Sequence, residues 1–349
     1  MNCARSSVPN GVPGPGGTRP EGGSGGVVTL AEVAAVLRGA DDAFICGHVM
    51  PDGDALGSAL ALGMALEGLG KRVTVATPDP VPELYSFLPG VDRLVTGGAG
   101  LEGHSIFVMV DCSVPARLGV YQEALSNGPV VQVVNIDHHQ PDDAPGAGLS
   151  YIDARAAATG EIVFDLIDLL GAPLTGDIAT CLYTAIVTDT GSFQYAATTA
   201  DTHRRAARLI EGGVSVAAVN SFLYEQKPLA SLLLLQRCLG SLTFTAGGRI
   251  AYLTVTLADL AAVGARDEHT EGLVNYARFV RGVEVAILFR ETEPGRWKVG
   301  LRSKERVDVQ AVAATLGGGG HMRAAGCLLD GTLAEVRRRV LAAVERVVS

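Results

Sequence analysis

From residue 29 onward the apolar positions follow two alternating patterns. TLAEVAAVLRG spaces its apolar residues helically, and Thr29 and Glu32 stand at capping-box separation, so a helix opens the fold. AFICGH (43–48), RVTVAT (72–77), IFVMVD (106–111) and VVQVVNID (130–137) are near-continuous apolar runs rich in β-branched residues. Runs apolar on both faces suit parallel strands covered by helices on each side. The pattern predicts an α/β, parallel, doubly wound N-terminal domain.

Helical spacing returns at 158–171, 175–191 and 201–212. SVAAVNSFLYEQKPLASLLLLQRCLG then gives two helical pieces split by Pro228, which predicts a helical linker. Strand patterns resume at RIAYLTVTL, VEVAILFRE and RWKVGLRS, with helices expected near 270–281 and 308–316. A last helix begins at TLAEVRRRVLAAVERVV, where Thr332 and Glu335 repeat the capping spacing. The expected division is a disordered tail over 1–28, a catalytic domain over 29–212, a linker over 213–240 and a smaller α/β domain over 241–349.

Composition changes the picture in three places. The length of 349 residues exceeds what one core usually serves, which supports two domains. A formal net charge of −9 argues against a protein that coats long nucleic acid, since that requires many phosphates to be neutralised. Short anionic partners held by a few basic groups stay open. The six cysteines form no C-x-x-C pair, and the Gly/Pro/Ser-rich N-terminus holds no signal-peptide core. With no run long enough to span a bilayer, a cytoplasmic protein without membrane contact is expected.

The densest chemistry is GHVMPDGDALGS, where His48, Asp52 and Asp54 follow the first predicted strand. Ligands of α/β sheets gather at such carboxyl ends, and Pro51 and Gly53 favour a tight turn. Two further strands end in acids, Asp111 and Asp137, and His138 and His139 follow the second directly. Asp189 closes an apolar helix. One aspartate at a strand end is commonly a cap or turn former. Four such sites, two of them with imidazoles, instead suit divalent cations. His104, His203 and His269 stand outside these motifs and read as packing or surface residues.

HVMPDGD, VDCS, DHH and TDTGSF occur in the order and context of the DHH phosphoesterase superfamily, which the chain resembles. LRSK (301–304) and GGGGHMRAAG (317–326) resemble the DHH-associated domain, and the whole is similar to the NrnA group of oligoribonucleases and 3′-phosphoadenosine 5′-phosphate phosphatases, some of which cleave cyclic or linear di-AMP. The resemblance implies His48, Asp52 and Asp111 on one metal ion and Asp54, Asp111, His138 and Asp189 on a second. Two divalent cations, Mn²⁺ with Mg²⁺ or Co²⁺ as substitutes, are implied. It also makes Asp137 an acid that orients an imidazole, sets His139 toward the substrate phosphate, and puts Arg117 near the substrate. Met50 departs from the family, where a polar or basic residue is more frequent, but it is no ligand position.

Gly317, Gly318, Gly319 and Gly320 lack side chains that would keep a phosphate from their amides, and His321 adds a donor. A bare glycine run is a weak signal. Arg302, Ser303, Lys304 and Arg323 strengthen it into an expected phosphate-binding loop. The expectation is hydrolysis of oligoribonucleotides of 2 to 5 nucleotides, linear or cyclic dinucleotides and 3′-phosphoadenosine 5′-phosphate, with a homodimer allowed. A manganese-dependent pyrophosphatase and a non-catalytic nucleotide sensor are the competing readings.

Overall fold

A computed structural model describes residues 28–112, 114–127, 132–139 and 148–348. The predicted tail through residue 27 lies outside them. The chain divides into two compact units at Leu223/Tyr224, a point within the predicted linker.

The first unit runs α1 (Leu30–Gly39), β1 (Asp42–Cys46), α2 (Gly53–Gly68), β2 (Arg72–Thr77), β3 (Val95–Thr96), β4 (Ile106–Val110), α3 (Tyr121–Asn127), β5 (Gln132–Asp137) and β6 (Leu149–Ile152). It continues through α4 (Thr159–Leu170), α5 (Gly176–Asp189), α6 (Ala200–Glu211) and α7 (Val216–Asn220). Thr29 caps α1 in a reciprocal box with Glu32, as their spacing predicts. The strands form one parallel sheet in the order β3-β2-β1-β4-β5-β6. Chain direction across the sheet therefore reverses between β1 and β4, and ligand crevices open beyond the carboxyl ends of such a strand pair.

Helices cover both faces. Ile45, Val108, Val134 and Ile136 face a core built with α1, α2, α4 and α5, while Phe44, Phe107 and Met109 pack with Tyr121 on the other side. Glycine lets α2 and α5 approach closely. A Cβ at Gly57 would lie 2.4 Å from the Cys181 carbonyl, and one at Gly53 would lie 2.4 Å from Thr188 Oγ1. This contact holds the start of α2 beside the end of α5.

The second unit comprises α8 (Leu229–Gly240), β7 (Thr243–Thr245), β8 (Ile250–Val255), α9 (Leu257–Val263), α10 (Leu273–Phe279), β9 (Val285–Glu293), β10 (Arg296–Ser303), α11 (Val309–Thr315), β11 (Gly319–His321), β12 (Ala324–Asp330) and α12 (Leu333–Val348). Its mixed sheet has the order β11-β12-β10-β9-β8-β7, in which only β8 and β9 run parallel. Among the described residues no helix is long and apolar enough to cross a membrane.

Candidate functional site

The loop after β1 is fixed by its backbone. The Val49 amide donates to the Arg117 carbonyl (2.8 Å), and that of Met50, at φ +53°, donates to Asp79 Oδ2 (2.7 Å). His48 is buried at the head of this loop. Its Nδ1 lies 2.8 Å from the Val49 carbonyl, which can only accept, so Nδ1 carries the proton and Nε2 presents a lone pair. Burial lowers the His48 pKa, against the pull of Asp52 and with the help of the Arg117 charge. The ring is thus held neutral.

Asp52 divides its carboxylate between two tasks. Oδ1 caps α2 by accepting the amides of Asp54 (3.1 Å) and Ala55 (3.0 Å), and Oδ2 lies 3.8 Å from His48 Nε2. At the second residue of the helix, buried Asp54 accepts the amides of Thr159 (2.7 Å) and Gly160 (2.9 Å) at the start of α4 and the Ser58 hydroxyl (2.9 Å). Asp54 is therefore both a candidate ligand and the cap of a second helix.

Asp111 follows β4 at φ +55°, a conformation non-glycine residues rarely adopt and one that clusters at functional sites. Its two oxygens face different neighbours: Oδ2 lies 3.4 Å from His48 Nε2, and Oδ1 lies 3.6 Å from His138 Nε2. The Thr159 hydroxyl donates to Oδ1 at 3.0 Å. His138 Nε2 also lies 3.5 Å from Asp189 Oδ2 and 3.8 Å from Asp54 Oδ2. The ring's Nδ1 is 3.3 Å from the Ala156 carbonyl, so it is oriented as His48 is.

Acceptor atoms that converge in this way repel one another unless a positive charge lies among them. Burial, then repulsion among the acids, pushes Asp54 and Asp189 up to about 7 and Asp111 well above the ordinary carboxyl value. Two ligands bound at about 2.1 Å to one ion stand roughly 3.0 to 3.8 Å apart at ordinary coordination angles. The observed separations of 3.4 to 3.8 Å fall in that range. His48, Asp52 and Asp111 form one group that could hold a cation, and Asp54, His138 and Asp189 form another, with Asp111 within reach of both. The residues present fit two divalent cations.

His139 belongs to a third group of donor atoms, with Asp111 and His138, but its Nδ1 is engaged elsewhere. It donates at 2.6 Å to Asp137 Oδ1, which also accepts the amides of His138 and His139. Burial opposes ionisation of both side chains. Their hydrogen bond and mutual attraction prevail, lowering the Asp137 pKa and raising that of His139.

Sequence reasoning missed Thr159, whose hydroxyl and amide bind Asp111 and Asp54. Its one signal is a threonine at the start of a helical pattern, which also fits an ordinary cap.

In the second unit Arg302 lies on β10 with Nη1 donating to the Leu301 carbonyl (3.1 Å), and Lys304 Nζ donates to the Val280 carbonyl (2.9 Å). Arg323 donates to the Val307 carbonyl (2.8 Å). Ser303 is buried, with its amide donating to the Arg323 carbonyl (3.1 Å). The predicted glycine loop takes another form. The amides of Gly317 and Gly318 close α11 by donating to Ala314 (3.1 Å) and Ala313 (2.9 Å), and Gly319 and Gly320 belong to edge strand β11. The side chain of His321 lies outside the described residues.

Strand register reveals a further feature. Gly319 stands opposite Gly326 and Gly326 opposite Gly300, so three glycines adjoin across β11, β12 and β10. Arg302 and Lys298 alternate with Gly300 on that face. A Cβ at Gly300 or Gly319 would meet nothing within 4 Å, whereas one at Gly326 between them would lie 2.9 Å from the Val299 carbonyl oxygen, so this glycine floor is open at its two outer glycines.

Residues 42–186 match the DHH family, N-terminal domain, and residues 247–349 match the DHHA1 domain. The chain is 39% identical over 318 residues to the bifunctional oligoribonuclease and PAP phosphatase NrnA of Thermus thermophilus, covering 90% of this chain and 92% of that one. It is 26% identical to the cyclic-di-AMP phosphodiesterase PdeA of Listeria monocytogenes, over 89% of this chain and 48% of the other. Among solved structures, an exopolyphosphatase-related protein from Bacteroides fragilis superposes with a TM-score of 0.84 at 24% identity, covering 91% of this chain and 95% of that one.

Proposed function

The chain belongs to the DHH family and is a phosphoric ester hydrolase, and from that premise we propose that it cleaves short oligoribonucleotides, linear or cyclic dinucleotides and 3′-phosphoadenosine 5′-phosphate with the help of two divalent cations, Mn²⁺ by preference. The observation that carries this reading is Asp111, whose two oxygens face two separate sets of histidine and aspartate ligand atoms.

When bound, such a pair of cations supplies charge to screen the acids from an anionic substrate and makes water a nucleophile at neutral pH. The chain's own groups have assignable roles. His48 and His138, each oriented by a carbonyl, would present Nε2, while Asp52, Asp54, Asp111 and Asp189 present carboxylate oxygens. Asp54 and Thr159 tie these ligands to the start of α4, which fixes their spacing. Asp137 holds the proton on His139 Nδ1 and keeps that ring cationic more readily, so Nε2 would donate to a substrate phosphate oxygen. Arg117 would add charge beside this phosphate.

Recognition of the nucleotide falls in this reading to the second unit. Arg302 and Gly319 lie on the face of the open glycines that would receive a second phosphate; Lys304 and Arg323 would add charge, and Ser303, Gly320 and His321 would contribute from the adjoining backbone. The amides of Gly317 and Gly318 are engaged with α11, so they would shape this floor and not bind the phosphate.

The test is a panel of 5′-pApA, 3′-phosphoadenosine 5′-phosphate and pyrophosphate, each with Mn²⁺, Mg²⁺ and Co²⁺. Release of AMP from the nucleotides, lost in Asp54→Asn, is the expected result. Turnover of pyrophosphate alone would establish the pyrophosphatase reading, and tight nucleotide binding without hydrolysis would establish a sensor.

A further inference from the structure

The segment after Asp189 has an unusual backbone. Gly191, Ser192 and Phe193 are consecutive residues with φ of +56°, +60° and +63°, and two of the three carry side chains. Single left-handed residues other than glycine are already uncommon, and three left-handed residues in succession ending in an aromatic persist only where the surroundings impose them. Thr190 does so here. Fully buried, it accepts the Phe193 amide on Oγ1 (3.0 Å), donates from Oγ1 to the Ile186 carbonyl (2.6 Å), and accepts the amides of Gln194 and Tyr195 on its own carbonyl (3.0 Å each).

The turn sends its two aromatic residues to different places. Phe193 goes inward, stacked on His203 with ring centres 4.9 Å apart and edge-on to Tyr183. Tyr195 stays outside, 42% exposed. A Cβ at Gly191 would lie 2.4, 2.6 and 2.8 Å from Cζ, Cε1 and Cε2 of that ring. Near-equal short distances to three consecutive ring atoms are possible only above the ring plane. Tyr195 therefore lies with one face on the Gly191 backbone, an approach that no other residue at 191 would permit.

A single exposed aromatic residue needs no explanation in general. This one is held on a rigid turn, and the residue under its ring is two positions from a candidate metal ligand, at most about 7.6 Å between Cα atoms. That is within the span of one nucleoside from phosphate to base. Aromatic rings fixed beside a phosphate-handling centre serve as stacking surfaces for any nucleobase, since every base has a π face. We propose that Tyr195 stacks against the nucleobase next to the phosphate that the enzyme cleaves. The assignment rests on the phosphoesterase reading and adds to it the base as a recognised part of the substrate. Because the ring is already immobilised, little side-chain freedom is lost on binding.

The experiment compares the full chain with its Tyr195→Ala, Tyr195→Phe and Gly191→Ala variants, in Mn²⁺, on 5′-pApA and on an analogue with hydrogen in place of both bases. Tyr195→Ala should raise KM for 5′-pApA by about tenfold with kcat within about twofold, and leave the abasic analogue unchanged. Tyr195→Phe should match the wild type on both. Gly191→Ala, whose Cβ displaces the ring, should reproduce Tyr195→Ala. Equal loss on both substrates, or no loss on 5′-pApA, overturns the stacking role while the phosphoesterase reading stands. A wild-type chain that cleaves neither substrate overturns both.

Discussion

Asp137 Oδ1 accepts the Nδ1 proton of His139 at 2.6 Å while also receiving the amides of His138 and His139, so one carboxylate oxygen fixes the imidazole and the strand end together. Asp137→Asn keeps the shape but removes the charge that raises the His139 pKa. A fall in kcat of about 10- to 100-fold with Mn²⁺ affinity nearly retained is expected, measured by steady-state kinetics and calorimetry. If the protonated ring is the active form, the high-pH decline of kcat should also move to lower pH. Unchanged kcat would remove His139 from the chemistry.

Thr159 predicts a separable effect. Thr159→Val deletes the hydroxyl that donates to Asp111 Oδ1 but keeps the amide that binds Asp54. Cation affinity should drop by about 10- to 100-fold with a small change in Tm. Calorimetric titration with Mn²⁺ measures it, and wild-type affinity would show that Asp111 needs no such restraint.

The acid cluster makes stability depend on pH and metal. Burial first, with repulsion from Asp52 and other acids, raises Asp54 and Asp189 from 3.8 to about 7. Between those values the folded state retains protons that the unfolded chain has released, so stability declines as pH rises across that window. In chelator-treated protein Tm should fall from pH 5 to 7, and saturating Mn²⁺ should remove the fall. A Tm that rises over this interval without metal would contradict the assignment of these groups.

In the second unit, Arg302→Ala should raise KM for 5′-pApA far more than for a small generic phosphodiester, because only the former offers a second phosphate. Equal effects on the two would argue against a substrate role for Arg302.

Helix packing gives a stability prediction. A methyl group at Gly57 would press on the Cys181 carbonyl, and backbone cannot rotate aside as a side chain can. Gly57→Ala should cost about 1 to 3 kcal/mol, read from urea unfolding.

Much of this was legible in the residues themselves. The apolar runs ending in Asp111 and Asp137 announce parallel strands, and acids at their carboxyl ends announce a site, because both signals are local. β3 and β6 were missed because two and four residues carry too little periodicity. The glycine run did not announce β11, since glycine has low strand preference and the pairing is imposed by β12. Thr159 could not be found because its partners are 48 and 105 positions away in the chain.

Asp52 and Asp54 each hold a helix start with the same carboxylate that faces the cation positions. Truncating either to alanine would loosen the scaffold while it emptied the site, and the two injuries would be confounded in any activity assay. At Asp52 both amides use one oxygen, which asparagine retains, so there it separates ligation from architecture; at Asp54 the two amides of α4 use different oxygens, and asparagine keeps only one of them.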